Sequence, residues 1–180
     1  MDTDTLRQAY DALLDAAASL AGQPTAPPAG EWDTDEILAH VALVDAGTLA
    51  AGYAVAAGAH AGYDNRIAQD RWTIRRTIHR AGGNTGLRDR IRRQGDALCT
   101  LAGQLLGPDE LNTAIPTLLV SGDAVLVDQP VPLRDIVAGL AADHLPRHAA
   151  QLIALRSPRR PAADQLPADG RGGRPLPAAR

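Results

Sequence analysis

Apolar positions along the chain recur mostly at helical spacing, and clusters of turn-forming residues separate the periodic stretches. Leu6, Tyr10, Leu13, Ala17 and Leu20 follow one another at intervals of four and three, which places them on one face of a helix. The pattern predicts a first helix over residues 3–22. Gly22 and the stretch from Pro24 to Gly30, with its three prolines, end it. The second helix has the clearest start. Asp33 can cap the open N–H groups, and Glu36 stands three residues later, as in a capping box. Trp32 and Ile37 hold the two positions of a hydrophobic staple. Asp35 and Glu36 suit the positive helix end. This helix should run to about Ala59, and its Ala- and Gly-rich interior favours close packing.

A third helix is expected over residues 65–80, anchored by Ile67, Ile74 and Ile78, with Asp64 and Asn65 as a cap pair at its start. Residues 81–86, Ala-Gly-Gly-Asn-Thr-Gly, form a break. Leu87, Ile91, Gly95, Leu98, Ala102 and Leu105 mark a fourth helix from Leu87 to about Leu106, ended by Gly107 and Pro108. Two short apolar runs, 117–120 and 124–127, flank Ser121-Gly122-Asp123 and read as a hairpin packed on the helices. Pro132 suits the first position of a last helix reaching about Leu155. Its buried stripe is Leu133, Val137, Leu140, His144, His148 and Leu152.

Together these elements predict an all-α fold, with residues 1–156 as one helical bundle. From Ser157 the periodicity stops. The last 24 residues hold five prolines, three glycines and five arginines, a composition expected of a disordered tail over 157–180.

Composition narrows the function classes. The chain is 45% hydrophobic but only 3% aromatic, with no Phe, so its core is built from Leu, Ile, Val and Ala. The formal net charge of −3 gives no general electrostatic reason to bind nucleic acid. No uncharged apolar run reaches the ~20 residues of a membrane span. The acidic N-terminus has no apolar signal region, and a cytoplasmic protein without nucleic-acid or membrane partners is expected. Cys99 falls inside a helical pattern and reads as a buried, inert thiol.

The candidate chemistry lies in histidines. His144 and His148 are four apart, so they stack on one helix face. They interrupt an apolar stripe, where an unpartnered polar group is costly. His40 lies on the inward side of the second helix, between Ile37 and Val44. Three imidazoles from two helices are a metal-ligand set with room for a further ligand. Asp45 and Asp143 are candidate acceptors for the ring N–H groups. His60 and His79, near helix ends, read as ordinary surface histidines. Pro146 sits between the pair and removes a helical hydrogen bond. The resulting irregularity either opens the bundle for a substrate or distorts the two-histidine geometry.

These residues carry a family resemblance. Gly30-Glu31-Trp32-Asp33, Glu36-Ile37-Leu38-Ala39-His40, Pro132-Leu133-Arg134-Asp135-Ile136 and the stretch from His144 to His148 resemble the DinB-like superfamily, especially its mycothiol-dependent maleylpyruvate isomerase N-terminal-like branch. The resemblance covers roughly residues 3–156. It implies an up-down-down-up four-helix bundle, to which the residue patterns add an extra short helix and a small hairpin before the last helix. It also implies one divalent metal on His40, His144 and His148, and imidazole ligands suit zinc or nickel. In the isomerase branch a glutamate can replace one member of the last-helix pair; here that position is His144. The implied activity is a thiol-dependent transfer or isomerisation, with mycothiol or a similar thiol as cofactor and a small electrophile as partner. Arg75, Arg76 or Arg147 would then meet a substrate carboxylate. The alternative is a non-enzymatic metal-binding bundle, as a homodimer through its small-residue helix faces. A sealed site would favour this alternative, and an open cavity would favour chemistry. Hydrolysis is less attractive, because no acidic residue stands on the histidine turns as a general base.

Overall fold

A computed structural model describes residues 1–23, 25 and 27–156. The tail expected over 157–180 lies outside the described residues. The helices are α1 (Asp4–Ala18), α2 (Thr34–Ala56), α3 (Arg71–Ala81), α4 (Asn84–Thr100), α5 (Pro108–Leu111), α6 (Leu133–Gly139) and α7 (Leu145–Ala154). A π turn, Leu101–Leu105, extends α4, and another, Leu140–His144, joins α6 to α7. The strands are β1 (Tyr63–Asp64), β2 (Ala114–Ser121) and β3 (Ala124–Pro132).

Contacts between the long helices set the bundle's course. The Met1 amine donates to the Ala102 carbonyl at 2.9 Å, and Arg7 reaches Asp96 at 3.4 Å, so α1 runs opposite to α4. Asn84 donates to Asp35 and Gln94 to the Ala42 carbonyl, while Gly52 lies against Leu101. These matched steps make α2 and α4 parallel. His40 faces His144, and Trp32, earlier on the chain, stands beside the later His148, so the last helix opposes α2. Thr25 and Arg156 pair where α1 and the last helix both end. The result is the expected up-down-down-up bundle. Parallel α2 and α4 require a return path, which β1, a 3₁₀ turn (Arg66–Ala68) and α3 supply.

The capping box at Asp33 forms as expected, with Asp33 accepting from the Glu36 N–H and Glu36 accepting from the Asp33 N–H. The core is aliphatic: Leu13, Ile37, Leu38, Leu87, Ile91, Leu98, Leu133, Leu145 and Leu152 are essentially fully buried. Each such side chain contributes about 1.5–3 kcal/mol relative to exposure. Gly95 lets α1 approach closely, since a Cβ there would stand 2.9 Å from the Tyr10 ring. Tyr10 thereby reaches across to donate to the buried Asp45 carboxyl at 2.6 Å. By length and hydropathy α2 alone among the described residues could cross a membrane, and 61% of that window is buried inside the bundle. A helix apolar on all sides suits such a central position.

Several expected boundaries move. The single helix over 65–80 is a 3₁₀ turn followed by α3, which starts at Arg71 behind the Asp70 cap. The cause is the hairpin. Tyr63 and Asp64 pair in parallel with Thr117 and Leu118, and Asn65 is spent on Val120 rather than on capping. Its amide donates to the Val120 carbonyl at 3.0 Å, and its Oδ1 accepts from the Val120 N–H at 2.8 Å. Asp64 does accept from the Arg66 N–H, so half of the cap pair forms. Ile67, expected as an anchor, is 61% exposed. The hairpin is longer than its apolar runs, with β2 paired to β3 from Ala114–Pro132 to Ser121–Ala124. Gly122, at φ +55°, takes the left-handed turn position that other residues resist. Pro132 ends β3 as the N-cap, one residue before the helix it was expected to open.

Candidate metal centre

His40 lies two turns into α2, where the capping box fixes the start of the helix. His144 closes the π turn and His148 lies in α7. Pro146 accounts for the irregularity between them. It has no N–H to donate, and the Leu145 N–H bonds back to the Leu140 carbonyl, one residue further than in an α-helix. The wider turn takes up the missing bond, and α geometry resumes before His148. The pair therefore keeps one face, with ring centroids 4.7 Å apart. Gly139 and Leu140, at the widened turn, line a cavity.

The three imidazoles converge. One ring nitrogen from each of His40, His144 and His148 lies within 4.8 Å of the others. The Nε2 atoms of His40 and His144 are 3.1 Å apart. Two nitrogens on a tetrahedral ion at about 2.05 Å would stand about 3.3 Å apart, close to this spacing. Burial, joined by the neighbouring His148, lowers the His40 pKa to about 4. Burial lowers His144 further, with His148, His40 and Arg147 adding to the effect. Burial also lowers His148, against a hydrogen bond to Gln151. Three neutral imidazoles are the protonation state that binds metal. The buried Nδ1 of His144 has no hydrogen-bond partner among the described residues.

Two rings are oriented from behind, by groups other than the expected aspartates. The Nδ1–H of His40 donates to the Ala68 carbonyl at 2.8 Å, which leaves its Nε2 lone pair facing His144. His148 Nδ1 lies 3.0 Å from Gln151 Oε1, so its Nε2 is likewise available. Asp45 instead accepts from Tyr10, and Asp143 is held by Arg147, whose Nη2 lies 2.7 Å from both carboxylate oxygens. Gln151 was legible as the residue three beyond His148. The Ala68 carbonyl was not, because only the return path from α2 brings it to His40. Trp32 borders the cluster, its ring centroid 4.7 Å from that of His40.

The triad opens into a cavity of about 1070 Å³ between the last helix, the Trp32 loop and the hairpin. Arg147 lines it, whereas Arg75 and Arg76 are exposed on α3, with Arg76 stacked over Trp72 at 5.1 Å. Asn65 and Gln69 also line it, and both hold the hairpin. Gln69 donates to the Val120 carbonyl and accepts from the Gly122 N–H. His60 and His79 are exposed and remote from the triad, His60 lining a separate cavity of about 420 Å³. Cys99 is buried, and burial pushes its thiol up, away from the reactive thiolate.

The chain matches no family model, no curated protein and no solved structure. What stands on geometry is a helical bundle with a buried three-histidine cluster able to coordinate a metal ion.

Proposed function

We propose that this protein is a metal-dependent enzyme of the DinB-like superfamily that uses a low-molecular-weight thiol, of the mycothiol type, in a transfer or isomerisation on a small electrophile. The observation that carries the proposal is the placement of three converging imidazoles on the wall of an open cavity. A purely structural metal site would be closed by protein ligands. The order of ligands along the chain, one early in the second helix and an i,i+4 pair in the last, supports the family reading.

His40, His144 and His148 would hold the ion. Zinc and nickel both suit imidazole, whereas Mg²⁺ and Ca²⁺ favour oxygen ligands. When bound, such an ion acts as a Lewis acid and lowers the pKa of a thiol or water. The chain's own residues set the rest of the site. The Ala68 carbonyl and Gln151 aim two of the rings, and Trp32 and the hairpin line the cavity beside them. Asn65 and Gln69 fix the hairpin in place.

Elemental analysis of the purified or reconstituted chain should find one divalent transition metal, lost in His144→Ala. Turnover of a panel of electrophiles with metal and thiol should exceed that of His148→Ala. Metal without turnover would discard the thiol-enzyme reading and leave a metal-binding protein. No metal after reconstitution would remove both.

A further inference from the structure

The cavity beside the triad has an uneven chemistry that bears on what can occupy it. Its volume of about 1070 Å³ reaches the upper end of ordinary small-molecule sites. It therefore holds several carbons beyond any group placed at the imidazoles. The hairpin side is mainly apolar: Leu119, Leu126, Val127 and Val131 line it beside the polar Thr117 and Ser121. Leu126 lines the cavity and is also 60% exposed, so part of the apolar wall is open to solvent. An apolar wall facing water is a feature of ligand-binding grooves.

The charges point the same way. Apart from the histidines and the Tyr63 phenol, the ionisable groups lining the cavity are Glu31, Asp135, Asp143 and Arg147. Arg147 and Asp143 satisfy each other at 2.7 Å. Glu31 has no cationic partner among the described residues, and Asp135 has only a loose 3.6 Å contact with Arg134, which does not line the cavity. The lining is left with a negative excess. We propose that the cavity takes a largely apolar ligand of several carbons whose free end is neutral or cationic, and that Glu31 and Asp135 disfavour ligands with an anionic free end. The inference rests on reading this cavity as the substrate site, but it does not require the metal.

The test uses the full chain carrying Trp72→Phe. Trp72 is 66% exposed, so its replacement is mild, and Trp32 beside His40 becomes the sole tryptophan. Trp32 emission is titrated with hexylamine, hexanol and hexanoate in chelator, with metal content measured separately. Hexylamine should bind about tenfold more tightly than hexanoate at low ionic strength, with hexanol between them. Added salt, or Glu31→Gln with Asp135→Asn, should narrow the gap to about twofold. Hexanoate binding as tightly as hexylamine would overturn the proposal. So would an amine preference unchanged in the double variant, or no saturable response to any of the three. A chain that binds no metal but keeps the amine preference removes the metal reading and leaves this one. A chain that binds metal without the preference does the reverse.

Discussion

Asp45→Asn tests the least expected feature of the core. Asp45 is fully buried in the middle of α2; one carboxyl oxygen accepts from the Tyr10 hydroxyl at 2.6 Å and the other has no partner among the described residues. Burial pushes the carboxyl up to about 8, against the hydrogen bond from Tyr10, which lowers it. Burial and the neighbouring Asp45 push the Tyr10 phenol up as well, which keeps it a donor. In the unfolded chain Asp45 ionises near the usual value of 3.8. Between about pH 4 and about pH 8 the folded state therefore holds a proton that the unfolded state has lost. Stability from this group is fully present at low pH and falls as pH rises, by about 1.4 kcal/mol per unit across that window. From about pH 5 to about pH 8 the loss is roughly 3–4 kcal/mol. Asparagine keeps an oxygen for Tyr10 and cannot ionise. The stability difference between Asp45→Asn and the parent should then grow by that amount over the same range. At about 2–4 °C per kcal/mol this is a relative rise in Tm of about 10 °C. Urea unfolding followed by circular dichroism, in chelator, measures it. The other carboxylates are common to both proteins and cancel in the difference. A difference that stays constant from pH 5 to pH 8 would refute the reasoning, because it would mean that Asp45 takes up no proton on folding.

Two further substitutions separate the site from its supports. Gln151→Ala removes the acceptor behind His148, and metal affinity should fall about 10–100-fold while the cooperative melt is retained; metal titration monitored by Trp32 emission reads it, and unchanged affinity would leave Gln151 without a positioning role. Asn65→Ala breaks both hydrogen bonds to Val120 and should cost about 1–3 kcal/mol in urea unfolding, with faster amide exchange in the hairpin than in α2. Equal exchange in both elements would show that Asn65 does not pin the hairpin.

The sequence by itself determined the elements whose signals are local. Apolar periodicity marked α1, α4 and the last helix, and capping signals marked α2. The capping box at Asp33 and Glu36 is complete within four residues, and the spacing of His144 and His148 alone puts them on one face. The inward side of α2 marked His40. Each of these depends on residues a few positions apart, where helix geometry is nearly fixed. Other features required the tertiary structure. Asn65 reads as a cap in sequence, but the competing partner, Val120, is 55 residues away and wins its side chain. Asp45 reads as an acceptor for a ligand histidine, yet close approach of α1 at Gly95 delivers the Tyr10 hydroxyl to it instead. The Ala68 carbonyl carries no side-chain signal at all and reaches His40 only because parallel α2 and α4 force the chain to double back between them. Pro146 announced an irregularity, but its form, a π turn that keeps both histidines on one face, is visible only in the structure. Hydrogen-bond competition and helix approach are properties of the assembled core, and neither can be read from spacing along the chain.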